Sequence, residues 1–239
     1  MSVASPGTVS WFEIGTTDAE DVTRFYGGLF GWTFEPRSAD YTEIVARDGT
    51  RPMGGICTPG DELSPAILAH DVAEALGKIQ LAGAAVVTPA KAADVPGREG
   101  IVYARLRDPL GNAFTLYFDD RPHPPEIVDG GLAGFELGTT EVDATKEFYF
   151  ECFGWTFELD PAAPGSFYHV LGQDRRRIGG LADHGLYGDD YLMPLFHVTD
   201  GQGTVEKARS LGATLESDRD DPRRRLVDPR GNRFGLSTG

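Results

Sequence analysis

The chain has 239 residues, with 22 lysines and arginines against 37 aspartates and glutamates, for a formal net charge of −15. That field repels phosphate backbones and anionic membrane surfaces, so neither nucleic acid nor a membrane is an expected partner. No window approaches the roughly 18 apolar residues a membrane span needs, and Met1-Ser2-Val3-Ala4-Ser5-Pro6 lacks the basic and apolar runs of a signal peptide, which makes the cytoplasm the expected location.

Residues 1–8 read as a flexible N-terminus. A strand is expected over Val9–Gly15, followed by a helix opened by the capping-box pattern Thr17-Asp18-Ala19-Glu20. Val22, Phe25, Tyr26 and Leu29 follow i, i+3, i+4, i+7 spacing and make one buried stripe. Gly31 ends the helix and a strand follows from Trp32. Two more strands are expected at 41–47 and Pro52–Cys57, joined by the turn at Asp48-Gly49. The same plan then restarts, with a strand at 66–69 and a helix at 71–81 carrying Val72, Ala75, Leu76 and Ile79 on one face. Gly83 caps that helix, and strands follow around Val86, at 101–106 and at 114–118. Asp108-Pro109-Leu110-Gly111-Asn112 is the hairpin turn between the last two. Residues 119–131, with Pro122, Pro124 and Pro125, form an extended connector.

The second half repeats the first. Phe12-Glu13-Ile14-Gly15-Thr16-Thr17 returns as Phe135-Glu136-Leu137-Gly138-Thr139-Thr140, Phe25-Tyr26 as Phe148-Tyr149, and Phe30-Gly31-Trp32-Thr33-Phe34-Glu35 as Phe153-Gly154-Trp155-Thr156-Phe157-Glu158, always 123 residues later. A strand at 192–198, a helix through Val205, Ala208 and Leu211, a cap at Gly212 and the turn Asp228-Pro229-Arg230-Gly231-Asn232 complete the parallel. The offset is 129 at Lys78/Lys207 and 120 at Asp108/Asp228, so nine residues between Pro89 and Gly100 are extra in the first half and are expected to form a surface loop. Two domains are expected, at 9–118 and 132–239. Cys57 and Cys152 lack the spacing of a disulfide framework or a zinc site, and Cys152 falls on a helical apolar stripe.

Four strand-helix-three-strand units, with Phe-Tyr in the first helix of each half, Phe-Gly-Trp after it and Asp-Pro-x-Gly-Asn before the last strand, resemble the vicinal oxygen chelate superfamily. This group contains glyoxalases, bleomycin-resistance proteins and extradiol dioxygenases. The resemblance implies an α+β fold of four βαβββ units in two tandem domains. Each pair of units would form a cup-shaped, mostly antiparallel sheet with helices outside. It also implies where a divalent metal is held in metal-using members: on the first and last strands of each unit, by His or Glu. Those positions fall here on Trp11, Gly134, Ser64, Met193, Thr115 and Gly235, and on Gly54-Gly55-Ile56 and Gly179-Gly180-Leu181. None offers a carboxylate or imidazole, so no metal cofactor is expected.

Glu13 and Glu136 lie two residues beyond two of these positions and share their strand face, so both are expected in the cups. Each is a candidate general base or a carboxylate for a cationic or hydroxylated ligand, or else a fold determinant bonded to a neighbouring strand. His197 lies four residues past Met193 on the same face and pairs with Glu136 as a candidate acid/base couple, with Leu68 at the corresponding place in the first half. His70 is a weaker candidate. Trp11, Tyr41, Thr115, Tyr168, His169 and Met193 are candidate pocket residues, with Trp11 suited to stack on a planar ligand or to plug its cup. Arg175-Arg176-Arg177 and Arg223-Arg224-Arg225 read as solvated edges or as a clamp for an anion.

The expectation is a protein that binds a small organic molecule without metal, with Glu136 as base and His197 as proton shuttle in a catalytic variant. Two alternatives stand beside it: a metal-dependent lyase, isomerase or dioxygenase with ligands among Glu13, Glu136, His169 and His197, and a non-enzymatic scaffold with filled cups. A homodimer is left open.

Overall fold

The computed structural model describes residues 4–120, 123–163, 165–184, 188–216 and 224–238, and in it the strand-helix-three-strand plan recurs four times. The first repeat is β1 (Val9–Gly15), α1 (Ala19–Phe30), β2 (Thr33–Pro36), β3 (Tyr41–Val45) and β4 (Pro52–Cys57). The second is β5 (Leu63–Leu68), α2 (Val72–Leu81), β6 (Ala85–Ala92), β7 (Val102–Arg107) and β8 (Ala113–Phe118). The third is β9 (Leu132–Thr139), α3 (Val142–Phe153), β10 (Thr156–Leu159), β11 (Phe167–Leu171) and β12 (Arg177–Asp183). The fourth is β13 (Tyr191–His197), α4 (Gly201–Ser210), β14 (Thr214–Leu215), β15 (Arg225–Val227) and β16 (Arg233–Ser237). Of the expected features, Arg121-Pro122 in the connector and Arg223 in the second basic run lie outside the described residues.

Local chemistry sets the helix ends. The Asp18 and Asp71 carboxylates accept from the backbone N–H groups of α1 and α2, and Asp200 does so for α4. Glu141 at the start of α3 makes no such bond; instead its N–H donates to Thr139 Oγ1. Gly31 and Gly154 end α1 and α3 in the left-handed conformation, with φ of 71° and 69°. The extra residues of the first half lengthen β6 to Ala92 as well as forming a loop, so part of the segment expected to be loop is strand. Residues 4–8, expected to be loose, are pinned: Gly7 N–H donates to Leu68 O at 2.8 Å and Gly7 O accepts from Trp155 Nε1 at 2.8 Å.

Hydrogen bonding keeps each sheet within one half. The two eight-stranded sheets run in the orders β2-β3-β4-β1-β5-β8-β7-β6 and β10-β11-β12-β9-β13-β16-β15-β14, and neither is closed. Packing divides the chain differently. One compact unit, called inner only because its repeats are the middle two of the chain, takes the second and third repeats with the N-terminal segment up to Ser10, and the other, called outer, takes the first and fourth repeats with residues 125–134.

The aromatic repeats explain this division. In the outer unit Tyr26 stacks on Trp32, with ring centroids 5.0 Å apart and planes 8° apart, and Phe12, Phe30, Phe196 and Phe234 close around the pair. In the inner unit Tyr149 stacks on Trp155 at 4.8 Å and 4°, within Phe114, Phe135, Phe148 and Phe153. Each tyrosine hydroxyl then donates to the aspartate of an Asp-Pro-x-Gly-Asn turn from the other half of the sequence: Tyr26 to Asp228 and Tyr149 to Asp108, both at 3.0 Å. Asp108 also accepts from the N–H groups of Leu110 and Asn112 and from Asn112 Nδ2, and Asp228 accepts from Arg230, Asn232 N–H and Asn232 Nδ2. The most conspicuous repeated motifs of the sequence are therefore devices that lock one half onto the other.

Candidate functional site

Strand alternation puts Phe135 and Leu137 in the aromatic core and Glu136 on the opposite, helix-free face of the third repeat. Register then sets a row across that face: Glu136 lies beside Gly180, Gly180 beside His169, and His169 beside Glu158. The outer unit carries the same row in the first repeat, as Glu13, Gly55, Glu43 and Glu35.

Glu136 is 1% exposed and accepts a hydrogen bond from the Tyr191 hydroxyl at 2.6 Å. A phenol on a carboxylate at that distance is a charge-assisted bond, and it keeps the buried oxygen satisfied. The His184 ring lies 5.3 Å from the Tyr191 ring, and its Nδ1 faces Asp189 O at 3.2 Å. Asp190 closes the corner by accepting from Thr140 N–H at 2.8 Å.

The other end of the row holds an acid/base couple. His169 Nε2 stands 3.2 Å from Asp160 Oδ2, with the His169 side chain 20% exposed. An imidazole that donates Nε2–H to a carboxylate keeps Nδ1 as its basic nitrogen. Nδ1 of His169 has no hydrogen bond among the described residues. The Phe167 ring sits between the two polar groups, edge-on to His169 at 5.8 Å and directly over Gly180, where a Cβ would collide with it.

The first repeat inverts this couple. Arg37 occupies the place of Asp160, since Arg37 N–H donates to Tyr41 O at 3.0 Å as Asp160 N–H donates to Phe167 O at 2.8 Å. Arg37 bonds the fully buried Glu43 at 2.6 Å and also reaches Glu35 at 2.7 Å. Tyr41 lies over Gly55 as Phe167 lies over Gly180. One half thus presents a cation binding a buried carboxylate, and the other a carboxylate orienting an imidazole.

Among the residues singled out in the sequence, Glu136 and His169 flank Gly180 in the inner unit, and Glu13 and Tyr41 meet at Gly55 in the outer one, to which Trp11 also belongs. Tyr168 does not join the row. Its ring lies on the helix side, under Lys146 Nζ of α3 at 3.2 Å from the centroid, and its register partner is the buried Leu181. Tyr41 corresponds instead to Phe167. Thr115 is buried opposite Ala66 in the inner unit. Met193 is 1% exposed, packed with Leu195 over Gly235 in the outer unit. His197 also belongs to the outer unit, where its backbone N–H donates to Gly131 O at 2.8 Å and its carbonyl accepts from Gly130 N–H at 2.7 Å. Cys152 is half-buried and its thiol is pushed up to about 11 by desolvation, which keeps it protonated at neutral pH. Tyr191, His184, Asp160 and Phe167 were not singled out; Asp160 and Phe167 were accessible by matching them to Arg37 and Tyr41, whereas nothing local marks Tyr191 or His184.

The positions that the sequence resemblance assigns to metal ligands carry Trp11, Gly134, Ser64, Met193, Thr115 and Gly235, side chains that do not make a donor set for a divalent ion. No three His, Cys, Asp or Glu side chains are grouped as a metal centre requires among the described residues. No helix among them is long and apolar enough to cross a membrane.

The comparisons with known proteins converge. A glyoxalase-like domain family model matches residues 135–237. The anthracycline biosynthesis protein DnrV of Streptomyces peucetius is 31% identical over 99% of this chain and 94% of its own length. The Mn(II)-bound glyoxalase from Novosphingobium aromaticivorans superposes with a TM-score of 0.65 at 13% identity, covering 98% of this chain and 83% of that one. An extradiol ring-cleaving dioxygenase from B. fuscum superposes with a TM-score of 0.66 at 15% identity, covering 99% and 73%. The full-length relative fixes the kinship and the structural neighbours fix the architecture: the chain belongs to the glyoxalase-like family of the vicinal oxygen chelate superfamily.

Proposed function

We propose that this protein binds a small, planar, hydroxylated aromatic molecule against the helix-free face of its second-half sheet. The observation that carries the reading is the Asp160–His169 couple, whose basic nitrogen, beside the Phe167 ring, has no hydrogen-bond partner among the described residues. In this reading Phe167 supplies a stacking surface and His169 Nδ1 accepts the hydrogen bond of a ligand hydroxyl. Asp160 holds the imidazole tautomer, so a proton can pass from a phenolic ligand to His169 without a metal ion taking part. Glu136, covered by Tyr191, supports the floor of the site and is the candidate base of a catalytic variant. The biosynthetic role in the name of DnrV supports the ligand class, because an anthracycline carries a planar hydroxylated polycycle.

Titration of the purified protein with 1,8-dihydroxyanthraquinone tests this directly. Saturable binding that weakens about tenfold or more in His169→Gln, a loss of at least about 1.4 kcal/mol, is the expected result. Binding unchanged by His169→Gln overturns the site. The burial of Glu136 and Met193 at 1% exposure favours a second reading, a scaffold whose sheet faces are filled by its own side chains, and no binding at all by the wild type selects it.

A further inference from the structure

The first and third repeats are built alike, yet they treat the free edges of their sheets differently. β2 and β10 are the edge strands at one end of the two sheets. Asp160 N–H donates to Phe167 O, so residues 158 and 160 bond toward β11 and the backbone groups of Phe157 and Leu159 point out of the sheet. Arg37 N–H donates to Tyr41 O in the same way, which leaves Phe34 and Pro36 as the outward-pointing residues of β2. Proline has no N–H, so Pro36 removes a donor at which another strand could pair, and the edge is blunted. Leu159, 123 residues later, keeps that donor.

The side chains around the two edges differ in the same direction. Phe150 and Leu159 are among the large apolar side chains left exposed, at 58% and 57%. Leu159 lies beside Tyr168 across β10 and β11, Tyr168 lies under Lys146 Nζ, and Phe150 is one turn beyond Lys146 on the same face of α3. At the places of Lys146, Phe150, Leu159 and Tyr168 the first repeat has Thr23, Gly27, Pro36 and Thr42. A Cβ on Gly27 would lie 3.1 Å from the ring of Phe34, the residue that corresponds to Phe157, which sets position 150 directly against the edge strand. The third repeat therefore adds two rings and a leucine beside the one of the two edges that it leaves unblocked.

We propose that this edge is a dimer interface, where β10 of a second copy pairs antiparallel with β10 about a two-fold axis through Glu158. Phe157 and Leu159 of one copy then exchange backbone hydrogen bonds with Leu159 and Phe157 of the other, so every outward-pointing group meets its symmetry equivalent. The two Phe150–Leu159 patches come to lie on the same side of the joined sheet and cover each other. Charge also selects a second copy. Glu158 faces its own equivalent across the axis, a like-charge contact, but Arg175 donates to it at 2.7 Å from the same chain. Each copy thus brings one carboxylate and one guanidinium, which bond across the axis as well as within the chain. Pairing extends the sheet in its own plane and leaves His169 uncovered.

Sedimentation equilibrium of the full chain tests this. A dimer with a dissociation constant in the micromolar range or tighter is expected. Leu159→Pro, which gives this edge the residue of the first repeat, and Phe150→Gln are each expected to weaken it about tenfold or more. Val87→Ser, at an exposed apolar residue of the edge strand β6, is expected to leave it unchanged. Phe150→Gln alters no strand, so loss of the dimer with unchanged near-ultraviolet dichroism separates a lost interface from a lost fold. A wild type that stays monomeric at about 100 μM, a dimer indifferent to Leu159→Pro and Phe150→Gln, or a dimer broken by Val87→Ser instead each overturns the proposal.

Discussion

Tyr149 and Tyr26 each join a stacked indole to a buried turn aspartate. Removing the hydroxyl in Tyr149→Phe leaves the ring stacked on Trp155 but takes one donor from the buried Asp108. The expected cost is about 1–3 kcal/mol, read from urea unfolding, with near-native spectra. Both phenols are held well above their ordinary value of 10.0, chiefly by desolvation and then by the neighbouring aspartate. The folded state therefore holds these protons more tightly than the unfolded chain. Their contribution is complete below pH 10 and is lost as the pH rises further. The wild type should lose stability steeply above about pH 10 by this linkage, and the Tyr26→Phe/Tyr149→Phe double variant should show a flatter alkaline limb. An identical limb in both proteins would locate the alkaline sensitivity elsewhere.

At the scale of elements, the row Glu136–Gly180–His169 depends on a strand that has no side chain at its centre. Gly180 is not in a left-handed conformation; what it provides is space, since a Cβ there would overlap the Phe167 ring. Gly180→Ala should cost about 1–3 kcal/mol by overpacking. Most of that cost should vanish when Phe167 is also replaced by Ala, giving a coupling energy of about 1 kcal/mol or more in a double-mutant cycle. Equal costs in both backgrounds would show that the ring does not rest on this glycine. The same contact marks the edge of what the sequence made legible. Strand alternation alone puts Glu136 opposite Phe135. Matching Tyr41 to Tyr168 by residue type misses the register, because three extra residues precede the third repeat's hairpin strand and make Phe167 the counterpart. Tyr191 meets Glu136 from 55 residues away, a pairing that depends on strand order and leaves no mark in local pattern.

For the whole molecule, the repeated motifs suggested two consecutive domains, and the sheets do follow the two halves. The aromatic cores do not, because Tyr26 needs Asp228 and Tyr149 needs Asp108. The motifs announced the family through residues whose work is to fasten one half to the other, which is why they were easy to read and said little about the ligand. Each half therefore contains complete backbone hydrogen bonding for its sheet but only part of each core. Phe12, Tyr26 and Trp32 lie in one half, and Phe196 and Phe234, which close the same cluster, in the other. Expressed separately, fragments 1–124 and 125–239 should each expose this apolar surface and fail to unfold cooperatively as monomers. Mixed, they should associate one to one and regain the near-ultraviolet dichroism of the stacked Tyr and Trp rings. A monomeric, cooperatively folding fragment of either half would show instead that hydrogen bonding within a sheet outweighs the aromatic packing that joins the halves. That would make the Tyr–Asp contacts ornaments of a fold already formed. The burial of every ring in both clusters argues the other way, since an exposed face of that size is what drives two chains together.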